Sequence, residues 1–96
     1  MPSFRVTLTV GALAPGVSPG SVLPRAAAAA GEFTTVESSD IAVVAGQARV
    51  IVRFTGEDEE LAAQIGSHVA NSVSSFATVA GFNVTQRVGN RWVGVK

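Results

Sequence analysis

At 96 residues the chain is one domain with one modest core, and 47% hydrophobic against 15% charged residues excludes a disordered tail. So little charge leaves neutral surface of the kind a partner covers, so self-association is expected. A formal net charge of zero excludes bulk attraction to nucleic acid or an acidic membrane, and the lack of cysteine excludes disulfides, thiolate nucleophiles and cysteine-metal sites.

Residues 4–10, Phe-Arg-Val-Thr-Leu-Thr-Val, alternate apolar and polar without error. That is a half-buried strand with Phe4, Val6, Leu8 and Val10 inward. Residues 11–20 carry three glycines and two prolines and read as a loop. Ser21 is placed as N-cap of a short helix, with Pro24 in its first turn, Ala26 to Ala30 as its body and Gly31 as its C-terminal stop. Residues 33–36 and 41–44 read as a strand broken at Ser38-Ser39-Asp40, followed by a hairpin turn at Ala45-Gly46-Gln47. Residues 49–54 form a second clean strand with Val50, Val52 and Phe54 on one face.

Thr55-Gly56-Glu57-Asp58 resembles a capping box, and the acidic run 57–60 suits a helix N-terminus, where carboxylates meet the positive end of the dipole. Leu61, Ile65, Val69, Val73 and Phe76 then give the buried stripe of a longer helix. Residues 82–88 alternate again, Gly89-Asn90 makes a tight turn, and residues 91–95 return as a short strand.

The order strand, helix, strand, strand, helix, strand matches an α+β ferredoxin-like βαββαβ sandwich over residues 1–96: one antiparallel sheet, two helices on one face, and a short C-terminal hairpin. The other sheet face is then open. Alternation puts Arg5, Thr7 and Thr9 of the first strand on it, with Arg49, Ile51 and Arg53 of the third and Asn83, Thr85 and Arg87 of the fourth. Four of the six arginines collect there, and no carboxylate from those three strands does. Zero net charge therefore hides a segregated distribution.

Three uses of such a face compete. In a sheet-to-sheet homodimer, threonine and arginine stems cover apolar surface, guanidiniums reach the rim, and Glu37 or Asp40 pairs with Arg49 or Arg53. A small anionic ligand held by Arg5, Arg49, Arg53 and Arg87 is the second use. The third, RNA or single-stranded DNA, is disfavoured because the central strands offer no stacking aromatics.

Arg25, in the first turn of helix one, lies unfavourably against the dipole and is a further anion-binding candidate. The preceding loop lacks the ending of a P-loop and the spacing of a dinucleotide loop, so no cofactor is expected. The acidic run caps its helix and does not converge on a metal. His68 sits beside the buried stripe with Gln64 and Ser72 one turn away, so it lacks an orienting carboxylate on its own helix and reads as structural. Trp92 reads as a core plug, or as an interface anchor if the last hairpin is exposed.

No leader and no membrane span are visible, so the expected location is cytoplasmic, with the Asn83-Val84-Thr85 sequon idle. An alanine-, valine- and arginine-rich chain with one lysine reads as high-GC bacterial coding. The leading expectation is a non-catalytic binding or assembly module that homodimerises and presents an arginine-rich sheet face. The alternative is a small enzyme of the dimeric α+β barrel kind, in which two open sheets close around an anionic small molecule in a pocket reaching His68 or an arginine.

Overall fold

The computed structural model describes residues 1–95. Strand β1 (Ser3–Leu13) leads through a single 3-10 turn into helix α1 (Val22–Gly31); β2 (Val36–Val44) and β3 (Gln47–Thr55) form a hairpin; helix α2 (Glu59–Ser74) precedes β4 (Ala77–Val88) and β5 (Arg91–Gly94). The five strands lie in the order β2-β3-β1-β4-β5, each antiparallel to its neighbour. Each helix connects two parallel strands that leave room for a third between them, as the ferredoxin-like topology requires. Both helices pack on one face.

Strand alternation decides which face. Phe4, Val6 and Leu8 pair with Phe54, Val52 and Val50, and all six are buried. Against them lie Ala26, Ala29 and Ala30 of α1 and Ala62, Ile65, Val69 and Val73 of α2. The alanines let α1 sit close to the sheet, and this contact rather than intrinsic propensity holds so short a helix. The closest approach is at Gly66 of α2, where an added Cβ would meet the Val84 side chain at 2.4 Å and Val6 at 3.5 Å. Gly66→Ala is therefore expected to destabilise despite the roughly 1 kcal/mol that alanine gains over glycine in a helix, because overpacking typically costs about 1–3 kcal/mol. Urea unfolding followed by circular dichroism checks this, and a stabilised variant would contradict it.

Several boundaries differ from the sequence reading. β1 runs on to Leu13 because register shifts after Thr9 and Val10 keep it paired with β4, which itself starts at Ala77 rather than Phe82. The break expected in β2 is a bulge between Val36 and Ser38 in a continuous strand, and its polar residues are exposed because β2 is an edge. Phe33 lies outside the strand.

The helix ends differ too. Gly31 is the last residue of α1 and has no positive φ, and the amides of Phe33 and Thr34 close the end by donating to the Ala30 carbonyl. The Ser21 hydroxyl donates to the Ser18 carbonyl instead of capping α1. The N-cap of α2 is Asp58 itself, whose side chain accepts from the Leu61 amide at 2.8 Å, while Thr55 stays in β3. The β2–β3 turn is confirmed at Ala45-Gly46, where φ values of 52° and 77° fit a type I′ turn.

Candidate functional site

The open face is built in rows by strand register. Arg53 of β3 stands opposite Arg5 of β1, which stands opposite Thr85 of β4; the next row is Ile51, Thr7 and Asn83; the next is Arg49, Thr9 and Gly81. Arg87 of β4 is opposite Trp92 of β5, so the tryptophan shares the face. The structure thus brings Arg5, Arg49, Arg53 and Arg87 to one surface. Asp40 of β2 joins them, opposite Ile51, with its Oδ1 accepting from the Ile41 amide.

Two arginines directly opposite each other repel, and something must offset that. Here Trp92 reaches across β4, its ring centroid 4.2 Å from Arg5 Cζ and 5.4 Å from Arg53 Cζ. Glu37, at the β2 bulge, lies 3.4 Å from Arg53 Nε and accepts a 2.7 Å hydrogen bond from the Ser3 hydroxyl. This end of the face gathers a ring, two guanidiniums and a carboxylate, in which Arg53 has Glu37 at ion-pair distance while its covered Nε makes no hydrogen bond. The expected pairing of Glu37 with Arg53 is present; no ion pair joins Asp40 and Arg49 among the described residues.

Trp92 is half-buried on the open face, so it is no core plug. Trp92→Ala is expected to cost about 1–2 kcal/mol, the sum of two partly exposed cation–π contacts at about 0.5–1 kcal/mol each. Chemical denaturation followed by circular dichroism measures it, and an unchanged midpoint would show that the stacking contributes nothing.

Three covered polar atoms on the face have no hydrogen-bond partner among the described residues: the Nε of Arg53 and the Oγ1 of Thr85, in the row of Arg5, and the Nε of Arg49, two rows away. A depression of about 280 Å³ is lined by Arg5, Thr7, Ala42, Val44, Arg49, Ile51, Asn83 and Thr85. A second, of about 250 Å³, opens over Gly81, and Thr7, Arg49 and Asn83 line both. Arg87, farther along β4, turns its Nε to the Gly89 carbonyl at 3.1 Å.

Arg25 does not join this site. It lies on the helix side with its guanidinium 3.7 Å over the Phe76 ring, beside a concavity shared with Glu32, Ser72 and Ser75. His68 is also on the helix side. Its Nε2 lies 2.7 Å from Glu32 Oε2, and Phe33 packs edge-on at 4.7 Å. An orienting carboxylate therefore exists, supplied by the residue that caps the other helix, 36 positions away in sequence, where a search along one helix cannot find it. A sheet-lined pocket holding both His68 and the arginines is ruled out, since the sheet separates them.

A broad concavity runs along α2 beside Asp58, Glu59, Glu60 and Ser67. It is a flat, solvated helix surface whose Asp58 is already engaged as a cap. Among the described residues no group of three or more histidine, aspartate or glutamate side chains converges on a metal-sized site, and no helix is long and apolar enough to cross a membrane.

No protein-family model matches the chain, and no curated protein matches it in sequence. Among solved structures, a protein provisionally described as a chlorite dismutase has a similar fold, with a TM-score of 0.51 and 14% identity over 90% of this chain. The chain spans 44% of that protein's length. At this identity the likeness concerns the fold alone.

Proposed function

We propose that this chain is a non-catalytic assembly and binding module whose open sheet face pairs with the same face of a second copy. The observation that carries this reading is the face itself: it is largely half-buried, carries Ile51 and Trp92 among threonine and arginine stems, and holds covered polar atoms that nothing among the described residues satisfies. Strands of 11, 9, 9, 12 and 4 residues together cover on the order of 700 Å², from about 4.8 Å per strand and about 3.3 Å per residue. That is close to the roughly 800 Å² per partner of a standard specific interface.

A catalytic alternative, a dimeric α+β barrel enzyme, has the same fold in its favour. It is less well supported, because the face offers arginines but no histidine, and its two carboxylates, Glu37 and Asp40, are engaged with Arg53 and the Ile41 amide.

Light scattering across a concentration series tests the pairing. A dimer that dissociates on dilution is expected, and a monomer at every concentration overturns it. The face presents four arginines against two carboxylates, so like charges meet across the contact. Association is accordingly expected to strengthen as salt rises from about 0.05 to 0.5 M, because the screening length falls below about 10 Å above 0.1 M. Trp92 is the one tryptophan of the chain and lies in the contact, so its emission follows the same equilibrium. Weakening with salt would show that attraction between opposite charges dominates instead.

A further inference from the structure

We infer that the depression beside Arg49 binds a small monocarboxylic acid with a short apolar tail, a reading that deepens the open-face function and rests on it. The first ground is an excess of unmatched donors. The covered Nε of both Arg49 and Arg53 lacks a hydrogen bond, but Arg53 has Glu37 as an ion-pair partner, Arg5 has Trp92 and Arg87 has the Gly89 carbonyl, whereas Arg49 has neither ion pair nor ring among the described residues. A covered donor without an acceptor is unfavourable, more so when it carries charge. Around it stand the hydroxyls of Thr7 and Thr85, the Asn83 amide and the Arg5 guanidinium, and no carboxylate lines the depression. The site lacks anionic acceptor oxygens, and a ligand has to bring them.

The second ground is shape and polarity. About 280 Å³ lies just below the usual range for drug-sized ligands, about 300–1,000 Å³, so the occupant is small. One wall is polar, made by β1 and β4; the other, made by Ala42, Val44 and Ile51, is apolar. A planar carboxylate matches the guanidinium fork of Arg49, with Thr85 donating from the opposite side, while a tail of a few carbons covers Ile51 and Val44. Inorganic phosphate engages the same donors and leaves the apolar wall bare, so the carboxylate with a tail is favoured.

The test is titration of the intact protein with hexanoate, acetate and inorganic phosphate, read by Trp92 emission and by thermal midpoint. Hexanoate is expected to saturate and to raise the midpoint, with acetate and phosphate at least tenfold weaker. Arg49→Gln is expected to weaken hexanoate at least tenfold, and Arg91→Gln, on the other side of the sheet, to leave it unchanged. Thr85→Val provides an independent check if Arg49→Gln does not fold, and is expected to weaken hexanoate severalfold.

No saturable hexanoate response, or equal binding by both Arg49→Gln and Thr85→Val, overturns the site. Phosphate binding as tightly as hexanoate overturns the monocarboxylate assignment. Light scattering on the same samples separates the two readings. A monomer that binds hexanoate through Arg49 supports the site and defeats the face-to-face pairing. A dimer that Arg49→Gln weakens while hexanoate has no effect supports the pairing and overturns the site, with the second copy as the partner of Arg49.

Discussion

Replacing Phe54 by alanine is expected to cost about 3–5 kcal/mol, the range for removing a buried aromatic ring, and to lower the thermal midpoint by more than about 10 °C. Phe54 is fully buried and stacks on Phe4, with ring centroids 6.1 Å apart and planes at 22°. What puts this site at the upper end of the range is how little its surroundings can collapse. Gly56 lies so close to Phe4 that an added Cβ would approach the ring to 3.1 Å, and Phe4 is held by its register in the central strand. The cavity therefore stays open, and a domain of this size has only about 5–15 kcal/mol to lose. Circular dichroism melts give the value. Val43→Ala on the neighbouring hairpin strand is the control: its side chain is 74% exposed, so a change within about 0.5 kcal/mol is expected. Comparable losses at both positions would mean that burial beneath the helices does not set the cost.

Both expectations depend on strand parity, and parity was legible in the sequence because β1, β3 and β4 alternate strongly apolar with strongly polar residues. One residue of slip would have exchanged Val6 for Arg5, so only one orientation was compatible with a core. The arginine face followed directly. Its organisation did not. Trp92 lies on a strand of four residues whose register is set by the Gly89-Asn90 turn, and only the pairing of Arg87 with Trp92 reveals that the ring faces Arg5 and Arg53. Glu37 was recognised as a partner for an arginine, but the bulge that delivers it to Arg53 rather than Arg49 is a backbone irregularity with no residue signature. Arg25 and His68 were hidden for the opposite reason: their partners, Phe76 and Glu32, come from distant segments, and helix periodicity carries no information about what a second helix brings alongside. The polar run Ser38 to Asp40 read as a break because edge exposure, which makes those residues harmless in a strand, depends on strand order.

The pairing of two open faces can be broken without touching the core. Ile51→Lys is expected to weaken dimerisation more than 100-fold while leaving the monomer's unfolding midpoint nearly unchanged. Ile51 stands in the middle row between Asp40 and Thr7, on the opposite side of the sheet from Val50 and Val52, and no helix contacts that side. A lysine there fits a strand and reaches solvent when the face is free. In the dimer each copy adds one cation to a surface that already holds four arginines, and like charges forced together across an interface cost several kcal/mol. Glutamate at the same place is expected to act in the other direction, since a carboxylate beside Arg49 supplies the acceptor that the depression lacks. The two substitutions are similar in bulk and opposite in charge, so analytical ultracentrifugation of the pair separates electrostatics from loss of apolar contact. Equal weakening by lysine and glutamate would assign the contact to the isoleucine surface alone, and no weakening by either would place the dimer contact on another surface of the molecule.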